Sequence, residues 1–307
     1  MVRIGKNYHV IHNTGDLIAL ETWYDQVFSI STHLWHGNNY SAMDVRNAEL
    51  ALIGDLCIEP LAPAFQFPGW EDSAMGRFHQ RFGERWHSLA WAVPEGLPEL
   101  YLRLKAQNVR LYGHGRDIDE AHIEDLHSFF THPKDTYTQL QFDFGPRKDD
   151  PRFQPGWDPS WVADKHPLGA VNSSHVTLKV DDLNRAKRIY VDTIGGKLLH
   201  EGEQPLLQTK SAFVQVGEDT IVELAQPANK TSMIGQDMDK YGMGLYAVTL
   251  KVKDLDKTEK HLTSKGVRTA LKDKQTLVCD PTTTHNAVWA FTTWNIPNDK
   301  RKPWSRQ

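Results

Sequence analysis

Two rhythms alternate along the chain. Stretches with every second residue apolar read as half-buried strands, and stretches with apolar residues three and four apart read as helices packed on one face. Val176–Val180 spells VTLKV and passes through Asp182-Leu183 into a helical spacing at Leu183, Ala186, Ile189 and Tyr190. The same five letters return at Val248–Val252, followed by Asp254-Leu255 and the spacing Leu255, Glu259, Leu262. The offset is 248 − 176 = 72 residues, the size of one small βαβββ unit. Gly195 and Gly266 predict where these two helices end, since a glycine commonly follows the last helical turn.

The first half repeats the theme more faintly. Tyr8–Asn13 alternates like a strand, and Gly15-Asp16-Leu17 opens a helix running to about Phe28. Trp86–Val93 predicts a strand, and Leu97–Gln107 predicts a helix with Leu100, Tyr101 and Leu104 on its apolar side. Four copies therefore begin near Tyr8, Trp86, Ser174 and Tyr246. Each closes on a further strand: Leu56–Pro63, Thr138–Phe144, Thr220–Pro227 and Asn286–Trp294. Pro/Gly-rich stretches at Pro60–Gly69 and Gly145–Gly169 separate copies, and the second predicts the domain boundary. The expected organisation is a front pair over 1–145, a linker over 146–171 and a rear pair over 172–307.

Composition narrows the function. Of 307 residues, 39% are apolar and 24% charged, a globular profile that excludes wholesale disorder. The net charge of −4 gives nucleic-acid binding no electrostatic support. No run approaches the ~18 apolar residues of a membrane span, and MVRIGKNYHV lacks the apolar centre of a secretory signal. Cys57 and Cys279, both in segments that read as buried strands, give no disulfide framework and predict a reducing, cytoplasmic setting. No GxSxG elbow is present, and Gly113-His114-Gly115 lacks the Lys and Ser/Thr of a phosphate loop. The 15 histidines stand out, because histidine is the commonest metal ligand and near-neutral acid–base group.

With a histidine in the first strand and a glutamate in the last, the copies resemble the vicinal oxygen chelate superfamily, which includes the glyoxalases and extradiol dioxygenases. The matching pieces are Tyr8-His9-Val10 and Ile58-Glu59-Pro60-Leu61 in copy one, and Ser174-His175-Val176 and Val222-Glu223-Leu224 in copy three. The resemblance implies an α+β fold of four tandem βαβββ modules forming two cupped mixed sheets. It also implies one divalent ion (Fe, Mn, Zn, Co or Ni) between paired modules. Carried over residue by residue, its ligands in the front pair are His9, Glu59, His87 and a residue of the Gln139–Asp143 strand. Gln141 is the preferred fourth donor, with Gln139 and Asp143 as alternatives on the same face. In the rear pair the VTLKV register puts Ala247 and Ala290 where ligands would stand. The rear half is thus expected to be structural, open to a binding or homodimerisation role.

The expected chemistry is that of an isomerase, epimerase or lyase acting on a small hydroxy-carbonyl substrate through an enolate. Glu59 is the expected base, because it is the carboxylate among the four donors. An Fe(II) extradiol-type dioxygenase is the alternative, with His9, His87 and Glu59 as a 2-His-1-carboxylate face. A small-molecule-binding protein without catalysis is the third reading. His12 should point away from His9, being an odd number of residues along the strand, and His79 is placed on a linker near the pocket. His33, His36, His114, His122, His127 and His132 are read as solvated or packed, and Asp117–Glu124 as a solvated helix face. Trp35, Trp70, Trp86, Trp91 and Tyr137 are candidate pocket aromatics, with core packing expected for most of them.

Overall fold

The computed structural model describes residues 1–29, 46–48, 51–113, 117–145, 152 and 157–301. Four βαβββ modules follow one another. The first is β1 (Asn7–Asn13), α1 (Leu17–Phe28), β2 (Arg46–Ala48), β3 (Ala51–Ile53) and β4 (Leu56–Pro63). A further helix, α2 (Ala74–Phe82), leads to the second: β5 (Arg85–Val93), α3 (Leu97–Ala106), β6 (Leu111–Tyr112), β7 (Ser128–Thr131) and β8 (Gln139–Phe144), with the single turn α4 (Pro133–Thr136) before β8. After α5 (Ser160–Asp164), the third comprises β9 (Ala170–Lys179), α6 (Leu183–Lys187), β10 (Lys197–Gln204), β11 (Thr209–Val216) and β12 (Thr220–Pro227). After α7 (Met233–Tyr241), the fourth comprises β13 (Gly244–Val252), α8 (Leu255–Ser264), β14 (Thr269–Lys272), β15 (Thr276–Cys279) and β16 (Val288–Thr292).

The recurring Asp-Leu pair has a local cause. Asp16, Asp182 and Asp254 each cap a helix, accepting backbone N–H groups of Ala19, Arg185, and both Asp256 and Lys257, while the following leucine begins the helix. In the second module Gly96 stands there instead, at φ 80°, with Pro98 in the first turn. A Cβ on Gly96 would lie 2.6 Å from the Met1 carbonyl oxygen, so the chain start and this turn fit only around glycine. Helix α6 continues into a wider turn over Arg188–Thr193, ending just before Gly195.

Among the described residues the strands form two mixed eight-stranded sheets. The front order is β2-β4-β1-β5-β8-β7-β6, with β3 also on β4; the rear order is β10-β11-β12-β9-β13-β16-β15-β14. In each sheet the first strand of a module runs parallel to its last strand and antiparallel to the first strand of the next module. One face of each sheet joins the helices in a core that runs through both halves, from Val10, Leu89 and Phe142 to Val176, Leu250 and Trp289. The other face forms the cup.

Candidate functional site

His9 and Glu59 meet in the front cup. Glu59 is paired beside Ile11 on the neighbouring parallel strand, so alternation turns His9, Ile11 and Glu59 to one side. His9 Nδ1 lies 3.0 Å from Glu59 Oε2, with the residues 3% and 2% exposed. On the far side of β5 the register aligns His9, Ala90 and Gln141 in one row. Gln141 Nε2 donates to both oxygens of Asp143 at 3.1 Å, and the Tyr8 hydroxyl also donates to Asp143. Gln139 sits two pairs earlier, opposite Ser88.

A register shift decides what β5 offers. Val10 pairs with Leu89 and His12 with Trp86, so two residues, His87 and Ser88, stand opposite the single Ile11. In the rear sheet the same irregularity puts Ala247 opposite Thr177, with Tyr246 as the extra residue. The next pairs agree: Ala90 adjoins Gln141 as Thr249 adjoins Ala290. Ser88 therefore occupies on β5 the place of Ala247, and His87 that of Tyr246. The His87 ring packs on Phe78 at 4.4 Å, and its Nδ1 is 2.8 Å from Ser88 Oγ.

These side chains do not assemble the four-donor set implied by the superfamily resemblance. His9 and Glu59 are together, Gln141 shares their row, and the β5 position carries a hydroxyl instead of an imidazole. Among the described residues no group of three or more His, Cys, Asp or Glu side chains is close enough to hold a metal ion. Tyr8 and Ser88 are the site residues to which the superfamily resemblance did not point. Sliding Leu89–Val93 against Val248–Val252 in the repeat would have exposed Ser88.

The rear cup keeps a similar pair. His175 Nε2 lies 3.5 Å from Glu223 Oε2, and Glu223 also accepts hydrogen bonds from Thr177 Oγ1 at 2.6 Å and Ser211 Oγ at 2.7 Å. Burial pushes the Glu223 carboxyl up, but these three neighbours outweigh it and hold it below the ordinary value. Ala247 and Ala290 line this cup, whose cavity measures about 60 Å³.

The other histidines fall into place. His12 points to the opposite face, with Nδ1 2.8 Å from the Tyr24 hydroxyl and its ring against Trp86; burial lowers its pKa to about 3. His79 lies on α2, 3.0 Å from the Asn13 amide, and burial lowers its pKa. His122 and His127 are exposed or half-buried, and His132 caps α4. His33, His36, His114 and Trp35 lie outside the described residues. Trp86, Trp91 and Tyr137 are buried, while Trp70 stacks edge-on against Phe65.

Residues 174–278 match the glyoxalase/bleomycin resistance protein/dioxygenase superfamily. The chain carries a domain of that superfamily. A 4-hydroxymandelate synthase variant from Streptomyces coelicolor shares the glyoxalase-type fold end to end: 98% of this chain and 97% of that one superpose with a TM-score of 0.67 at 10% identity. Methylmalonyl-CoA epimerase from Mycobacterium tuberculosis is 24% identical over 41% of this chain and 87% of its own, with a TM-score of 0.36. A hypothetical protein from Bacillus halodurans is 22% identical over 39% of this chain and 92% of its own, also at 0.36. No curated protein matches the sequence. No described helix is long and apolar enough to cross a membrane.

Proposed function

We propose that the chain is an isomerase- or epimerase-type enzyme that moves a proton on the carbon next to a carbonyl of a small hydroxy-carbonyl compound, with Glu59 as the base. The observation that supports this reading is the buried Glu59 carboxylate in the front cup, with the His9 imidazole nitrogen 3.0 Å from it. General-base catalysis asks for a carboxylate held within hydrogen-bond reach of the proton it removes and shielded from bulk water. A Glu59 oxygen takes the C–H proton, and the electron pair moves onto the carbonyl oxygen as an enolate. Ser88 offers an O–H donor on the same side of the sheet for that oxygen, while the Tyr8 and Gln141 donors beside it are engaged by Asp143. Return of the Glu59 proton to the neighbouring carbon, with the hydroxyl proton passing to the former carbonyl oxygen, gives the isomer. Epimerisation requires the proton to arrive on the opposite face from solvent or a second acid while Glu59 keeps the one it took. His9 fixes the carboxylate and is a positioning residue.

Among the described residues a resident divalent ion would meet His9 and Glu59, with Gln141 in the same row, which does not make the implied four-ligand centre; the proton transfer rests on the chain's own groups. The dioxygenase alternative needs His87 beside that pair, whereas His87 is engaged with Ser88 and Phe78.

The test is exchange of α-hydrogen for deuterium, followed by proton magnetic resonance across a panel of 2-hydroxy ketones, 2-hydroxy aldehydes and acyl thioesters. The expected result is enzyme-dependent exchange that Glu59→Gln lowers roughly 10²–10⁴-fold without loss of fold. Exchange that survives Glu59→Gln, or substrate-dependent oxygen uptake with added Fe(II), would overturn the assignment.

A further inference from the structure

A cavity of about 340 Å³ lies at the seam between the halves, walled by α2, the start of β5, the segment before β8, the end of β9 and the α7–β13 turn. Its charge is one-sided. Arg81, Arg85, Lys134 and Lys179 line it, and no acidic residue does among the described residues. Arg85 and Lys179 are 8% and 1% exposed, and both rest on a single carboxylate. Arg85 reaches the two Asp237 oxygens at 2.9 and 3.1 Å, and the Lys179 ammonium contacts the same carboxylate.

Two buried cations sharing one anion leave a surplus positive charge facing the cavity, and a buried charge is tolerated when a counter-charge meets it. Aromatic rings supply the other half of the site. Arg85 stacks 4.0 Å over the Tyr241 ring and Arg81 4.9 Å over Phe82, while Phe78 completes the apolar wall. These rings offer faces for a planar ligand, and the stacked guanidinium groups face the same space.

We propose that this seam cavity binds an aromatic organic anion, its ring among Phe78, Phe82 and Tyr241 and its acid group toward Lys179 and Arg85. The proposal is independent of the proton transfer assigned to Glu59, because its determinants are other residues.

Calorimetric titration of the full chain with 2-naphthoate tests it, with the uncharged 2-naphthalenemethanol as the matched probe. The expected result is one naphthoate per chain and at least tenfold weaker binding of the alcohol. Lys179→Met should weaken naphthoate at least tenfold while leaving the alcohol unchanged. Because Lys179 is buried, the exposed pair Arg81→Gln/Lys134→Gln serves as a second variant and should weaken naphthoate several-fold without changing the unfolding midpoint. Equal affinity for acid and alcohol, absence of binding at millimolar naphthoate, or unaltered naphthoate affinity in the exposed double variant would each overturn the proposal.

Discussion

Asp55 sits in the turn between β3 and β4 and accepts the Ser173 backbone N–H at 2.7 Å, tying the first module to β9. Burial lifts its carboxyl to about 6, Asp219 adds to the rise, and the Ser173 bond, Arg301 and Arg152 oppose it. A carboxyl raised in the folded state contributes stability that is complete below its unfolded pKa, near 3.8, and is lost as pH climbs through about 6. Asp55→Asn keeps an acceptor oxygen and removes the titration. Urea unfolding should show the variant level with the parent near pH 4 and gaining on it by pH 7; a pH-independent difference would contradict this account. Glu223 has the opposite sign: its carboxyl is held low, so its contribution is present above the unfolded value and lost as pH falls. At this scale His9 and Glu59 were legible in the repeat because each needs only its own strand. Tyr8 and Ser88 were not: Tyr8 lies at a register shift of β1, and the superfamily resemblance had assigned the β5 place to His87.

The bulge in β5 is the element on which the site turns. The superfamily resemblance puts His87 in the ligand row, whereas alternation back from Ala90, the partner of His9, gives that place to Ser88, with His87 and Ser88 together opposite the single Ile11. If so, Ser88→His should bring an imidazole to the side of the sheet that holds His9 and Glu59. Elemental analysis after dialysis against Zn(II) should then find about one ion per chain in Ser88→His and markedly less in the parent. A full equivalent in the parent would refute the register argument. The first strand, helix and last strand of each module were readable from alternation and helical spacing, most with bounds shifted by a residue or two; β9 starts earlier, at Ala170, and the middle strands were not read. Helix α2 was missed, because its short AMGRFHQRF stretch carries a glycine in its first turn and is anchored by the Ser73 cap and the burial of Met75 and Gly76.

Across the whole molecule, a cluster of aromatic rings joins the halves. Trp289 of β16 lies 5.0 Å from Phe28, 5.1 Å from Trp86 and 6.3 Å from Trp23, and Trp86 Nε1 donates to the Val288 carbonyl at 2.9 Å. The His261 ring contacts the Val27 carbonyl oxygen at 2.7 Å, linking α8 to α1. We propose that the front and rear pairs unfold as one unit because this core is continuous. Trp289→Ala should cost about 3–5 kcal/mol and move a single transition seen alike by calorimetry and by near-ultraviolet dichroism. Two transitions, with only one displaced by the substitution, would disprove that coupling. The fourfold repeat was visible in the letters, whereas contacts between distant modules carry no periodicity and left no such mark. The retained imidazole–carboxylate pairs at His9–Glu59 and His175–Glu223 give the duplicated architecture a practical consequence. A single isotope-labelled sample contains both the candidate centre and its counterpart in the rear cup, in the same buffer and at the same temperature. Ring-nitrogen chemical shifts at His175 thereby supply an internal baseline, and any departure at His9 when a ligand is added reports on the front cup alone.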